Sequence, residues 1–104
     1  MDINYNNLII ERRGEIATVS FNRPNRANAL NYDLIYEIEA AALSFRDDIN
    51  TRVVVFTGIG QNFCAGADLD DPGSGYSGPL IKRRRRRRVG ERAIQAILEM
   101  DQIT

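Results

Sequence analysis

The first regular pattern of apolar and polar positions begins at Leu8. Leu8-Ile9-Ile10-Glu11-Arg12-Arg13 and Ile16-Ala17-Thr18-Val19-Ser20-Phe21 are two strand-like runs separated by Gly14-Glu15. In the second run Ala17, Val19 and Phe21 alternate with Ile16, Thr18 and Ser20, the period of two that a half-buried strand requires. A two-residue, glycine-containing connection joins such runs as an antiparallel hairpin. Pro24 then ends the pairing, because it has no N–H to donate, and biases Arg23 toward extended backbone.

From residue 31 the period lengthens. Leu34, Ile38, Ala41 and Phe45 recur at helical spacing, with Ile35 and Ala42 widening the stripe, which predicts a helix over 31–46. Asn31 is its expected cap, and Asp33 suits the positive end of the helix dipole. Residues 53–57, Val-Val-Val-Phe-Thr, form an unbroken run closed by Gly58. Such a run predicts a strand covered on both faces, as in a parallel sheet. Strand, helix and strand make a βαβ unit with a right-handed crossover. Further on, Ala93, Ile94, Ile97 and Leu98 share one helical face, predicting a last helix from about residue 90 to 100.

Between these elements lie six of the eight glycines and two of the three prolines, from Gly58 to Pro79. Residues 71–89 are expected to form a flexible Gly/Pro loop followed by a polybasic segment. The whole of 1–104 is expected to be one domain, and an incomplete one, since two helices and a hairpin cover a doubly buried strand poorly.

Composition narrows the chemistry. Apolar residues at 43% and charged residues at 27% are ordinary for a folded chain, so wholesale disorder is excluded. The chain has no His, which removes imidazole catalysis and imidazole metal sites. Cys64 is its one cysteine, so no internal disulfide or thiolate metal cage forms. The first residues, Met1-Asp2-Ile3-Asn4, lack the basic and apolar regions of a signal peptide. No apolar run approaches the roughly 18 residues of a membrane span, and the expectation is a cytoplasmic chain with no membrane partner.

The net charge of zero conceals an asymmetry. Lys82 to Arg88 are seven consecutive cations; without them, seven basic residues face 14 acidic ones, leaving the rest at −7. The first expectation for the block is a solvated, partly disordered segment, because a helix there creates seven like-charge i,i+3 and i,i+4 pairs costing about 0.2–0.5 kcal/mol each. A nucleic-acid role ranks low, since no aromatic residue is interleaved among the cations.

Three turns deserve testing as motifs. Gly58-Ile59-Gly60 opens like a dinucleotide fingerprint, but Phe63 stands where its third glycine belongs. Asp68-Leu69-Asp70 opens like a calcium loop, but Pro72 and Pro79 occupy ligand positions. Phe63-Cys64-Ala65-Gly66-Ala67-Asp68-Leu69 remains. Its small residues leave main chain uncovered just past a strand's carboxyl end, where open α/β sheets bind ligands. Gly66 permits a turn that presents the Ala67 N–H to a ligand oxygen. Asp68 and Asp70 read as a solvated acidic rim, and Cys64 as a small packed residue.

The segment Phe21-Asn22-Arg23-Pro24 with Asn28-Ala29-Leu30-Asn31, followed by the 63–69 turn, resembles the enoyl-CoA hydratase/isomerase (crotonase) family. That resemblance implies an α/β fold, the N-terminal part of a crotonase-like ββα spiral (hairpin, helix, buried strand, loop, helix). It implies an acyl-CoA substrate whose enolate is held by two backbone N–H groups, and assembly as a homo-oligomer, a trimer or a pair of trimers. By position, Ala67 N–H is the first oxyanion donor. Arg26, Ala27, Ala65, Gly66, Asp68 and Leu69 fall where the family binds coenzyme A, with Arg26 toward a phosphate. The basic block is a further candidate for those phosphates. No cofactor is implied beyond coenzyme A as part of the substrate. The family's second donor and its acid/base carboxylates lie further downstream, so no acid/base residue is assigned in this chain. Glu91 and Glu99 are expected to face solvent. The alternatives are a non-catalytic coenzyme A-binding or assembly module, or a polybasic binder of nucleic acid or anionic surfaces.

Overall fold

In the computed structural model, residues 5–68 and 79–104 are described. Strands β1 (Leu8–Arg13) and β2 (Ile16–Phe21) form the expected hairpin, in a register running from Leu8 opposite Phe21 to Arg13 opposite Ile16. Gly14 occupies the turn at φ 57°, a left-handed conformation that glycine adopts without penalty. Helix α1 (Tyr32–Ser44) carries the chain back, and β3 (Val53–Gly58) pairs with β2 in parallel, giving the sheet order β1-β2-β3.

The cap of α1 is the one expected. The Asn31 side chain accepts from Leu34 N at 2.9 Å, satisfying an otherwise orphaned donor of the first turn. The helix then buries Leu34, Ile38, Ala41 and Ala42, and a 3₁₀ turn (Phe45–Asp47) follows it. Phe45, Leu34, Val19 and Val54 are the largest apolar side chains wholly removed from solvent. At about 1.5–3 kcal/mol for each such side chain, this cluster is what holds α1 on the Ala17-Val19-Phe21 face.

Two expectations are corrected here. β3 is not covered on both faces: Val54 is fully buried while Val55 is 43% exposed. Buried residues of both helices, Val89 apart, join one core cluster with Val54, and the opposite face, with Ile9, Ile16 and Val55, is open among the described residues. At its far edge β3 meets the chain again, for Ile103 bridges Val53 in parallel, with Val54 N donating to Ile103 O at 2.8 Å.

The second correction concerns the basic block. Helix α2 spans Leu80–Leu98, so it starts ten residues earlier than its apolar pattern indicates and takes in the whole run of cations. Of the segment expected to be flexible, 80–89 is therefore helical, and 71–78 lies outside the described residues. The physical cause is anchoring. Val89, Ala93 and Ala96 are buried in this helix, and once a nucleus is fixed each added residue gains a hydrogen bond for little further cost. Arginine's good helix propensity adds to this.

Candidate functional site

The segment after β3 folds back over the strand end because Gly58 has no side chain. A Cβ at Gly58 would meet Phe63 O at 2.5 Å and Asn28 Nδ2 at 2.6 Å, and Asn62 O closer still. Phe63 returns to stack on Phe21, with ring centroids 5.2 Å apart and planes 21° from parallel. Cys64 packs half-buried against the core, as its small size predicts.

Asn28 fixes this loop from the other side. It is wholly buried, and its φ of 56° is the left-handed region that asparagine tolerates better than most residues. Its side chain accepts from Arg23 N at 2.7 Å and donates to Ile59 O at 3.0 Å and Asn62 O at 2.7 Å. One amide thus ties the turn after β2 to the turn after β3.

Arg23 completes the frame. Its guanidinium bonds Ala29 O and reaches Asp68 Oδ2 at 2.9 Å, with side-chain exposures of 13% and 9% for the pair. Asp68 is accordingly no solvated rim carboxylate. It is buried and neutralised by a residue from the other segment.

Between these anchors lies a short parallel bridge of Leu30 with Ala67. Leu30 N donates to Gly66 O at 2.7 Å, and Asp68 N donates to Leu30 O at 2.9 Å. Both rungs use the neighbours of Ala67, so its own N–H and C=O point to the side away from Leu30. Among the described residues Ala67 N–H has no hydrogen-bond partner, and Ala67 is exposed. Gly66 makes the turn at φ 100°; a Cβ there would meet nothing within 4 Å, so backbone conformation alone calls for glycine.

The remaining site residues fall around this point. Ala27, at φ 52°, accepts through its carbonyl from Ala65 N at 3.1 Å, which draws the 24–27 turn against the 65–68 turn. Arg26 is exposed at the end of the 3₁₀ turn (Pro24–Arg26). Leu69 lies outside the described residues, as does Asp70. Arg26, Ala27, Ala65, Gly66, Ala67 and Asp68 are thus on two adjoining turns. Arg23 and Asn28, which hold those turns together, are the residues that sequence reasoning did not single out. Glu91 on α2 and Glu99 at its C-cap lie elsewhere, exposed, with Glu99 paired to Arg46 at 2.6 Å.

Comparisons with known proteins identify the family and the fold. The family model described as enoyl-CoA hydratase/isomerase matches residues 11–103. A short-chain-enoyl-CoA hydratase of Clostridium acetobutylicum is 39% identical over 67 residues, which cover 64% of this chain and 26% of that protein. A probable enoyl-CoA hydratase of Mycobacterium tuberculosis is 33% identical over 79 residues, covering 76% of this chain and 31% of that one. The crystal structure of an enoyl-CoA hydratase/carnithine racemase from Magnetospirillum magneticum superposes with a TM-score of 0.86 at 27% identity, over 95% of this chain and 37% of that chain. The matched part is therefore well under half of each relative's length.

Proposed function

The chain belongs to the enoyl-CoA hydratase/isomerase family, and from that premise we propose that its two adjoining turns form the first part of an acyl-CoA site. In this reading Ala67 N–H donates to the thioester oxygen. The observation that carries it is the unused amide of Ala67, flanked by two bonded neighbours that keep it pointed outward. The backbone at Ala65, Gly66 and Asp68, with Leu69, lines the adenine and pantetheine portions. Ala27 supports that wall, and Arg26 meets a phosphate.

The chemistry follows from polarisation. Drawing electron density onto the thioester oxygen makes the α C–H more acidic and the β-carbon of an enoyl chain more electrophilic. In hydration, a water oxygen bonds to the β-carbon and gives up one proton to a general base, the C=C π pair moves through the carbonyl onto oxygen as an enolate, and a proton adds at the α-carbon as the carbonyl re-forms. In isomerisation, an abstracted proton returns at a different carbon of the same enolate. A preorganised N–H at that oxygen contributes about 2.7–4 kcal/mol of barrier lowering in a water-excluded site. We assign the proton transfers to no residue of this chain. The second donor and the assembly into trimers or pairs of trimers belong to the same proposal. No cofactor enters it beyond the coenzyme A of the substrate.

The test removes the Ala67 N–H and leaves every side chain in place, while the ester also makes Gly66 O a weaker acceptor for Leu30 N. Ligation at the Phe63–Cys64 junction allows residue 67 to be built as lactic acid, turning the amide into an ester. With the native chain, the carbonyl stretch of bound isotope-labelled acyl-CoA should move to lower frequency, and the ester variant should abolish most of that shift. An equal shift in both chains would assign the polarisation to some other group and defeat the proposal.

A further inference from the structure

Helix α2 brings its cations against the one place where α1 shows aromatic rings. Tyr32 and Tyr36 lie one helical turn apart, ring centroids 6.3 Å from each other. Together with Lys82, Arg85, Arg86 and Val89 they line an open hollow of about 270 Å³. Among the described residues no acid lines it. Two acids on these helices have partners of their own: Glu37 accepts from Asn7 N at 3.0 Å, and Glu91 pairs with Arg87 at 3.6 Å. Asp33, in the first turn of α1, is the exposed acid closest in sequence to Tyr32. Lys82 and Arg85 have no ion pair with any described residue.

The absence of aromatic residues among the cations is the sequence-level argument against a nucleic-acid role, and the fold removes it. Stacking surface comes from α1 and charge from α2, across more than forty residues of sequence. The hollow is smaller than the roughly 300–1,000 Å³ of sites that enclose a whole drug-sized ligand, so it suits one ring-sized group. Positive charge continues past it. Arg88 and Arg92 line a second hollow with Glu91 and Gln95 further along the helix. From Lys82 to Arg92 the cations extend along about 15 Å of helix, at 1.5 Å per residue. A single anion needs only the first hollow, whereas a row of this length matches a chain of phosphates.

We propose that the Tyr32–Tyr36 hollow and the cationic flank of α2 bind single-stranded nucleic acid, one base stacking on Tyr36 while Lys82, Arg85 and the arginines beyond contact successive phosphates. Among the described residues the hollow shares no lining residue with the Ala67 turn, and the proposal does not depend on the acyl-CoA reading. Stacking on an aromatic ring with a cationic track beside it is the sequence-tolerant way single strands are held. Helix formation through the basic block gains from the same contacts, because phosphates between the cations offset their mutual repulsion.

The experiment is a fluorescence anisotropy titration of the 104-residue chain with a labelled 12-nucleotide single strand at four salt concentrations. Binding should weaken linearly in log–log form, and Arg85→Gln should reduce the slope by about 0.7, the contribution of one phosphate contact on a single strand. Tyr36→Ala should weaken binding roughly five- to 150-fold with the slope unchanged, and Tyr36→Phe should restore it. Tyr36 is 49% exposed, so its truncation leaves the core intact. Four results each overturn the proposal: no salt-dependent binding; no effect of Tyr36→Ala; a duplex of equal length bound as tightly as the single strand; or ATP bound as tightly as the 12-mer, which would make the hollow a mononucleotide site.

Discussion

Arg23 and Asp68 stand 45 residues apart in the chain and meet at 2.9 Å in a largely buried ion pair that joins the turn after β2 to the turn after β3. Two charges removed from water are tolerable only when each neutralises the other and the remaining hydrogen-bond capacity is met, as the Ala29 carbonyl does for Arg23. The pair therefore fixes the residue immediately after Ala67.

Breaking it from one side leaves a buried charge uncompensated. Asp68→Asn should cost about 3 kcal/mol, read as a lower urea midpoint with an unchanged m-value. A loss below about 0.5 kcal/mol would mean that the pair is solvated and does not position the turn.

Gly58 and Gly66 separate two reasons for a glycine. Gly58→Ala drives a methyl group into the carbonyls of Asn62 and Phe63 and should cost about 1–3 kcal/mol, with amide shifts along 59–64. Gly66→Ala meets no atom within 4 Å but holds alanine at φ 100°, a strain of about 1–3 kcal/mol. D-alanine adopts positive φ readily, so at 66 it should relieve the strain that L-alanine carries. A loss with D-alanine at 66 equal to that of Gly66→Ala would contradict this division.

Asp48 sets a pH dependence. The Thr51 hydroxyl at 2.7 Å is the main cause holding its carboxyl below the ordinary 3.8, with help from the N–H groups of Asn50 and Thr51 and the charge of Arg12, against an opposing effect of burial. A lowered folded value means that the stabilisation is fully present above the unfolded value and is lost as pH falls through the folded one. Stability should therefore decline on acidification below about pH 4, and Asp48→Asn should flatten that limb. Thr51→Val should move the Asp48 carboxyl titration, followed by carbon NMR, back toward 3.8. An unmoved titration would remove Thr51 as the cause.

What was legible in the sequence was what local pattern encodes. The hairpin, the α1 stripe with its Asn31 cap, and the strand starting at Val53 all follow from periods of two and 3.6 and from single turn residues. The 63–68 turn stood out through its resemblance to the family's motif, since small residues after a strand fit an ordinary tight turn equally well. Three features were not. The burial of Asp68 depends on Arg23, and no local signal links positions so far apart. The extension of α2 through its cations depends on tertiary anchoring at Val89, Ala93 and Ala96, which like-charge counting does not see. The exposed face of β3 has the same β-branched composition as a covered one, so only the placement of both helices on the other side reveals it.

The most direct measurement is amide hydrogen exchange at three neighbouring positions. Leu30 N and Asp68 N are bonded across the bridge, whereas Ala67 N–H, between the two rungs, is not. In the free protein Ala67 should exchange much faster than Leu30 and Asp68, and a saturating acyl-CoA thioester should slow it and move its proton resonance downfield. An Ala67 amide already protected without ligand, or unchanged when the thioester binds, would contradict the account.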